Sequence, residues 1–199
     1  MLTIPQDAPT CVTVLGIDPG STKLGLCLLT VDMDNLEIVK TDAFTLKVVN
    51  YTDKDDGVVL SAGERVCKLN SIAMRIKSIL YKNYPYAIGC EHPYFNQKTP
   101  NAFGSLKELT TTISKAVYEY DPLSRLNLID PSSVKNAIGA PGNCNKEIVL
   151  QEIKKLITSG VFGICPDPDT LDDNAIDSIA VAYVTYKRSF QIWERSRRK

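Results

Sequence analysis

An apolar run interrupted by one acidic turn, near the start of the chain, most constrains what this sequence can fold into. Residues 12–17 (VTVLGI) and 24–29 (LGLCLL) are almost wholly apolar, and an Asp18-Pro19-Gly20 turn lies between them. Pro19 fixes φ and Gly20 tolerates positive φ, so the pattern predicts a strand, a tight turn and a second strand. The first strand is continuous enough to be central in a sheet and covered on both faces.

Asp18 then projects from a strand end beside a low-dielectric core, where a carboxylate requires a cation or hydrogen-bond donors. Two interpretations are open at this point. Asp18 can begin an Asx turn by accepting hydrogen bonds from the amides of Gly20 or Ser21. It can also bind a divalent metal ion, and only the other acidic residues can decide between the two.

The chain has 199 residues, of which 44% are hydrophobic, and this suits one globular domain with a substantial core. We interpret residues 1–10 as a disordered lead-in, 11–190 as the single domain and 191–199 as a basic tail. The tail has two interpretations. The simpler one is a solvated chain end, and the other is a segment that contacts phosphate. The formal net charge is zero, which by itself gives no support for a nucleic-acid partner.

Several function classes are disfavoured by the same sequence. No apolar run approaches the ~20 residues of a membrane span and no secretory signal begins the chain, so we expect a soluble, cytoplasmic protein without membrane association. The six cysteines are scattered singly and the chain has one histidine. This pattern argues for free thiols in a reducing compartment and against structural zinc. A Walker loop, an H-E-x-x-H motif and a Rossmann glycine fingerprint are all absent.

The hydrophobic periodicity predicts an α/β fold. After the first two strands, the second of which reaches about Val31, strands are predicted at 36–46, 86–91 and 126–129, with a polar loop at 47–58. Helices are predicted at 61–82, 101–120, 145–157 and 171–190, with a helical turn at 131–135. This order indicates a five-stranded mixed sheet, three antiparallel strands followed by two parallel ones, with helices on both faces and no second domain.

Three acids occupy apolar settings in this scheme. Asp18 and Glu91 both end buried strands, so their carboxylates lie at the same end of the sheet if those strands are neighbours. Asp177 is a lone acid on an otherwise apolar helix face, with Asp173 at i−4 and Asn174 at i−3. Oxygen ligands with almost no histidine or thiolate nearby suit Mg2+ or Mn2+. We therefore favour a metal site over three separate structural acids.

Structural alternatives remain for the individual acids. Glu91 can be an ordinary acid at a strand end before Pro93. Asp172 is better explained as the N-cap of the last helix than as a metal ligand.

At this point the residues resemble a known family. The motifs 16–21 (GIDPGS), Glu91 with Tyr94-Phe95, 131–135 (PSSVK), the loop 139–146 and the segment 173–182 are similar, in this order, to those of the RuvC family of Holliday junction resolvases. The correspondence covers about residues 12–186. The resemblance implies a ribonuclease-H-like fold, a two-fold homodimer, branched DNA as the partner and Mg2+ as the cofactor, with Mn2+ as a substitute.

The resemblance also implies roles for particular residues. Asp18, Glu91 and Asp177 match the family's metal-binding acids. Where the family has an acid or a histidine three residues before the last acid, this chain has Asn174, so Asp173 and Asn174 are alternative fourth ligands. The positions that match the family's DNA-contacting residues are Lys135 and Lys146, two basic residues near the scissile phosphate, and Tyr94 or Phe95, the aromatic that stacks at opened bases. The structural alternative for the two lysines is an ordinary surface charge, and for the two aromatic residues it is a place in the core.

The implied reaction is phosphodiester hydrolysis with two metal ions, which gives paired symmetric nicks with 5′-phosphate ends. Asp18, Glu91, Asp173, Asp177 and Lys146 are the expected catalytic residues. Two strands cut symmetrically require two active sites and hence a dimer. A branch-migration partner and the cut-site preference are not predicted.

Three other functions share some of these features. The strand–Asp–turn–strand pattern also resembles the phosphate loop of actin-like ATPases and sugar kinases, which need a second domain. A ribonuclease-H-like nuclease acting on other branched DNA or on structured RNA would carry the same acids. A non-catalytic junction-binding protein is favoured if Asn174 removes a ligand.

Overall fold

The structure is a computed structural model that describes residues 10–20, 22–48, 57–94 and 100–197, with the backbone alone at 57–58, 100–102 and 192–197. Residues 1–9 of the lead-in predicted at 1–10, and residues 49–56 of the polar loop predicted at 47–58, lie outside the described residues. The strands are β1 (Cys11–Asp18), β2 (Lys23–Asp32), β3 (Ile38–Lys47), β4 (Ala87–Glu91) and β5 (Leu126–Ile129). The helices are α1 (Gly57–Ala62), α2 (Glu64–Asn83), α3 (Pro100–Tyr120), α4 (Pro131–Ala137), α5 (Lys146–Thr158) and α6 (Asp173–Arg197), with a 3-10 helix at Pro168–Thr170.

The five strands form one mixed sheet in the order β3-β2-β1-β4-β5. The β1–β2 and β2–β3 pairs are antiparallel, and the β1–β4 and β4–β5 pairs are parallel. One buried cluster joins α2 and α3 to one face of the sheet, and a second joins α4, α5 and α6 to the other. The predicted sheet, its strand directions and its two-sided covering are confirmed, and the strands that end in Asp18 and Glu91 are neighbours.

Strand alternation determines the face to which each side chain of β1 points. Leu15 and Ile17 are fully buried against α2 and α3. Gly16 lies on the opposite face, where a Cβ would be 2.3 Å from the backbone nitrogen of Ala182 in α6. Because successive side chains alternate between faces, Asp18 shares the α6 face with Gly16.

The same argument applies to β4. Ile88 and Cys90 are buried against α2 and α3. A Cβ at Gly89 would lie 1.8 Å from Oγ1 of Thr185, so Gly89 faces α6 at close range. Glu91, two residues further on, therefore points to the same face of the sheet as Asp18.

Two predicted helices differ from the structure by more than one or two residues at an end. The helix predicted at 61–82 is divided into α1 and α2 at Gly63, whose φ of 82° lies in the left-handed region that glycine tolerates. The last helix runs to Arg197 instead of 190, because the stretch contains no proline or glycine that would end it. Among the described residues, none of the helices combines the length and apolarity that crossing a membrane requires.

Candidate active site

Asp18 and Glu91 lie at the same end and on the same face of the sheet. The parallel register of β1 and β4 pairs Ile17 with Cys90, and the two acids follow directly after this pair. Their carboxylates interact strongly enough for the charge of Asp18 to raise the pKa of Glu91. The sequence prediction that two strand ends bring these acids together is confirmed by this arrangement.

The start of α6 lies directly over this end of the sheet. Asp18 pairs with Gly25 of β2, and a Cβ at Gly25 would lie 1.8 Å from the backbone oxygen of Asn174 and 3.2 Å from Cβ of Asp18. No side chain separates strand and helix here. The close contact places Asp177, one turn further along α6, where its charge reaches both strand-end acids.

Burial and mutual repulsion raise the proton affinity of these acids. Burial, followed by the charge of Asp177, raises the pKa of Asp18 to about 7, and Lys146 offsets only part of this. Burial and the charges of Asp18 and Asp177 raise the pKa of Glu91 to about 8. Burial also raises the pKa of Asp177, against the opposing effect of Lys146. Carboxylates arranged in this way at a cleft are typical of functional sites.

Lys146 forms ion pairs with two acids of the cluster. It is the first residue of α5, whose N-cap Asn145 accepts a hydrogen bond from the amide of Ile148 at 3.1 Å. Its Nζ lies 3.2 Å from Oδ2 of Asp177 and 3.6 Å from Oδ2 of Asp173. Burial lowers the pKa of Lys146, but these carboxylates more than offset this, so that the pKa is raised and the ammonium stays charged.

Lys135 and Tyr94 line the cleft in front of the acids. A cavity of about 350 Å³ is bordered by Glu91, Tyr94, Lys135, Lys146 and Asp177. Nζ of Lys135 donates a hydrogen bond to the carbonyl oxygen of Cys144 at 2.7 Å, which holds the lysine at the cleft wall. Tyr94 is 74% exposed, so it is not the core residue of the alternative interpretation. Phe95, the other candidate aromatic, lies outside the described residues.

Asp172, Asp173 and Asn174 have distinct environments. Asp172 accepts a hydrogen bond from the amide of Ala175 at 3.1 Å and one from Oγ1 of Thr45, which confirms its predicted role as N-cap of α6. Hydrogen bonds from Thr45 and Ala175, the charge of Lys23 and a hydrogen bond from the Asn174 amide outweigh the effect of burial and lower the pKa of Asp172. The side chain of Asn174 thus interacts with the cap, whereas Asp173 shares Lys146 with Asp177.

A metal ion is compatible with the chemistry of the donors. In the described part of the chain, no three acidic, histidine or cysteine side chains are gathered closely enough to hold one ion as they stand. The carboxylates of Asp18, Glu91 and Asp177 are nevertheless hard oxygen donors, and burial keeps their pKa values raised although the nearby lysines act to lower them. Of the predicted Asx-turn partners of Asp18, Ser21 lies outside the described residues and Gly20 makes no such hydrogen bond.

Sequence reasoning missed the residues that set the distance between sheet and helix. Gly16, Gly25 and Gly89 place α6 against the strands, and Thr45 holds the cap of α6. A glycine inside a strand is a signal of close backbone approach, and this signal was available for all three. The hydroxyl of Thr45 had no such signal, because its partner is 127 residues away in sequence.

Comparison with known proteins agrees with this architecture. No family model matches the chain. It is 26% identical over 185 residues to the crossover junction endodeoxyribonuclease RuvC of Thermus thermophilus, covering 89% of this chain and 96% of that protein. It is 23% identical over 173 residues to the RuvC of Cytophaga hutchinsonii, covering 87% of this chain and 75% of that protein. The resemblance in sequence thus extends over most of the chain.

Solved structures share the fold. T. thermophilus RuvC in complex with a Holliday junction substrate superposes with a TM-score of 0.64 at 19% identity, covering 90% of this chain and 96% of that one. The yeast mitochondrial Holliday junction resolvase superposes with a TM-score of 0.63 at 16% identity, covering 94% and 84%. The ribonuclease-H-like fold predicted from the sequence is confirmed.

Proposed function

We propose that this chain, similar to RuvC in sequence and in fold, is a metal-dependent endonuclease that resolves four-way DNA junctions by paired symmetric nicks. The observation that carries the proposal is the cluster of Asp18, Glu91 and Asp177 at one end of the sheet, with Lys146 against it. Buried carboxylates with raised pKa values are costly for folding and are expected where a function requires them.

Asp18, Glu91 and Asp177, with Asp173 at the edge of the cluster, would hold two Mg2+ ions, and Mn2+ would substitute for Mg2+. Bound to these oxygens, the ions would activate the attacking water and stabilise the leaving 3′ oxygen. Asp173 is preferred over Asn174 as the fourth ligand, because Asp173 faces Lys146 beside Asp177 while the Asn174 amide interacts with Asp172.

The remaining site residues would act on the DNA. The ammonium of Lys146 lies beside Asp177 and would offset the charge that builds on the phosphorane. Lys135, fixed at the cleft wall by the Cys144 carbonyl, would position a backbone phosphate. Tyr94, exposed at the mouth of the cleft, would stack on an opened base, and Phe95 is the alternative from sequence.

Branched DNA and a dimer complete the proposal. One cluster of acids cleaves one strand, so symmetric nicks on opposite strands need two copies of the chain related by a two-fold axis. The T. thermophilus relative is known as a complex with a Holliday junction, which supports the same substrate class for this chain. A cytoplasmic location of the protein remains our expectation from the sequence.

The test is cleavage by the purified full chain in Mg2+ of three substrates of matched length: a four-way junction, a linear duplex and an RNA–DNA hybrid. Paired nicks with 5′-phosphate ends in the junction alone support the proposal. Preferential cleavage of the hybrid would indicate a ribonuclease-H-like nuclease with a different substrate. Tight junction binding with no cleavage in Mg2+ or Mn2+ would indicate the non-catalytic binding protein.

A further inference from the structure

One row of residues crosses the sheet at the end that carries the acids. The strand pairings place Asp18 of β1 opposite Gly25 of β2, and Gly25 opposite Thr45 of β3. Residues that are paired across neighbouring strands point to the same face of a sheet, so all three positions face α6. The row therefore presents a carboxylate, an open stretch of backbone and a hydroxyl to the start of that helix.

The start of α6 lies across this row. Its backbone meets Gly25 at Asn174, and its N-cap Asp172 reaches Thr45. Oδ1 of Asp172 accepts a hydrogen bond from the hydroxyl of Thr45 and another from the amide of Ala175, the latter at 3.1 Å. A single carboxylate oxygen thus joins the first turn of α6 to β3.

The contacts at Gly16 and Gly25 fix the distance of α6 from the sheet more firmly than its position along its own axis. Backbone lies against backbone at both, so no strand side chain is inserted between turns of the helix. A hydrogen bond has a preferred length and direction, and it therefore resists sliding and rotation. The bond from Thr45 supplies this restraint at the end of the sheet that carries the acids.

The position of α6 matters to the site because the helix carries two of its acids. Asp173 follows Asp172 directly, and Asp177 lies five residues on, about 7.5 Å further along the axis. A slide or rotation at Asp172 would therefore move both carboxylates relative to Asp18 and Glu91. A misplacement of about 1 Å in an active site can cost as much as 10²-fold in rate.

Lys23 adds little to this restraint. Its ammonium lies 3.8 Å from Oδ2 of Asp172, and the two side chains are 47% and 42% exposed. Ion pairs that are so exposed to solvent contribute little, because water and salt screen them. The half-buried hydroxyl of Thr45 is therefore the contact that holds Asp172 in place.

We propose that Thr45, acting through Asp172, is a positioning residue: its hydrogen bond fixes α6 so that the acids of the helix face those of the strands. The inference rests on the proposed function, since it concerns the same metal site. Thr45 acts through the place of the helix and touches neither the metal ions nor the DNA. Loss of its hydroxyl should therefore weaken metal binding and slow the chemical step while junction affinity in EDTA stays the same.

The test compares Thr45→Val, which removes the hydroxyl and keeps the branched shape, with Thr45→Ser, which keeps the hydroxyl. The matched control is Thr41→Val on the same face of β3, since the hydroxyl of Thr41 also bonds a distant segment, the carbonyl of Phe162 at 2.8 Å, instead of α6. Isothermal titration calorimetry without DNA gives the affinity for Mn2+. Single-turnover cleavage of a four-way junction and thermal unfolding in EDTA complete the measurements.

Thr45→Val should weaken Mn2+ binding and slow cleavage by about 10-fold each, a loss typical of a group that orients metal ligands. Thr45→Ser should restore both. Thr41→Val should lower the Tm at least as much as Thr45→Val and leave Mn2+ affinity and cleavage unchanged, a split that a purely structural role of Thr45 would not produce. Parental metal affinity and cleavage in Thr45→Val, or equal losses in Thr41→Val, would overturn the positioning role.

A double-mutant cycle identifies the partner through which Thr45 acts. Asp172→Ala removes the acceptor, so Thr45→Val should have no further effect on Mn2+ affinity in that background. Additive losses in the double variant would show that Thr45 acts by a route other than Asp172, and they would overturn the assignment.

Metal binding separates this inference from the proposed function. Binding of Mn2+ by the parent, with its loss in Asp18→Asn, identifies the site without any nucleic acid. If the chain binds Mn2+ there but cuts no junction, and Thr45→Val weakens the binding, the resolvase proposal fails and the positioning role stands. If the chain cuts junctions and Thr45→Val matches its parent, the positioning role fails alone. A parent that neither binds Mn2+ nor cuts junctions overturns both.

Discussion

The ammonium of Lys146 lies 3.2 Å from a carboxylate oxygen of Asp177. The contact joins the first turn of α5 to the first turns of α6, two helices on the same face of the sheet. In the metal-free chain it lowers the proton affinity of Asp177 and offsets part of the repulsion among the acids. The same position would place a positive charge beside a phosphate bound to those acids.

Replacing Lys146 should therefore affect the chemical step. We expect Lys146→Gln to slow single-turnover cleavage by about 10²- to 10³-fold, the loss typical of one donor that stabilises developing charge. The pKa of Asp177 should rise further, which NMR titration of the carboxyl can follow. Lys154→Gln, on the same helix but paired with Asp169, is the control and should cleave normally. A cleavage rate within threefold of the parent would remove Lys146 from the mechanism.

Asp18→Asn should abolish cleavage while leaving junction binding largely intact, because the amide removes a charged ligand at almost unchanged volume. Cleavage in Mg2+ and junction affinity in the same buffer are the measurements. The variant should remain folded, since it eliminates a buried carboxylate whose ionised form is disfavoured. An unfolded Asp18→Asn chain would mean that the acid is structural, as the Asx-turn interpretation requires.

The stability of the metal-free protein should fall as pH rises. The pKa of Asp18 is raised to about 7 and that of Glu91 to about 8. Between about pH 4 and pH 8 the folded chain thus binds more protons than the unfolded chain, and the free energy of unfolding decreases with pH. Asp172 has a lowered pKa and the opposite effect, but only below about pH 4.

Thermal unfolding in EDTA tests this linkage. The Tm should be lower at pH 8.5 than at pH 6, and Asp18→Asn should flatten the profile. Mg2+ should restore stability chiefly at the higher pH, where the carboxylates are ionised and can bind it. A Tm that rises steadily between pH 6 and pH 8.5 in EDTA would contradict the raised pKa values.

Gly25 should be intolerant of a side chain. A Cβ there would lie 1.8 Å from the backbone oxygen of Asn174, so Gly25→Ala must displace the start of α6. We expect a loss of roughly 1–3 kcal/mol in the free energy of unfolding and a larger fractional loss of cleavage, as Asp173 and Asp177 move. Denaturant unfolding and single-turnover rates measure the two effects.

Gly104 in α3 provides the matched control, because a Cβ there would meet nothing within 4 Å. Gly104→Ala should stabilise the helix by roughly 0.5–1 kcal/mol and leave cleavage unchanged. Equal behaviour of the two alanine variants would show that the contact between β2 and α6 does not position the acids.

Substitutions at Asp173 and at Asn174 should have different effects on cleavage. Asp173→Asn removes a carboxylate beside Lys146 and Asp177. We expect cleavage to fall by about 10- to 100-fold and the apparent affinity for Mg2+ to decrease. Asn174→Ala loses the interaction with Asp172 and should cleave within a few-fold of the parent. The reverse result would make the Asn174 amide oxygen the fourth ligand.

Much of this architecture could be predicted from the sequence, because the signals are local. The apolar runs and the Pro19-Gly20 turn define β1 and β2, and the acids that end two apolar runs identify the end of the sheet that carries the candidate site. The break at Gly63 was hidden by continuous helical periodicity on both sides of it. The length of α6 was underestimated because a basic, polar sequence is compatible with both tail and helix.

The rest depends on contacts between distant segments. The hydrogen bond from Thr45 to Asp172 and the contact of Lys146 with Asp177 join elements that no local pattern relates. The raised pKa values require knowledge of burial, which the sequence suggests but does not measure.

The glycine contacts beneath α6 have a wider consequence for how such a chain diverges. Backbone meets backbone at Gly16 and Ala182, so no bulky side chain acts as a spacer whose size sets the gap. Volume-conserving exchanges among the leucines, isoleucines and valines elsewhere in the two cores should therefore leave the spacing of the acids unchanged. The fold that this chain shares with the Thermus relative, at about a quarter of identical residues, is in line with an interior that has been largely rewritten around such backbone contacts.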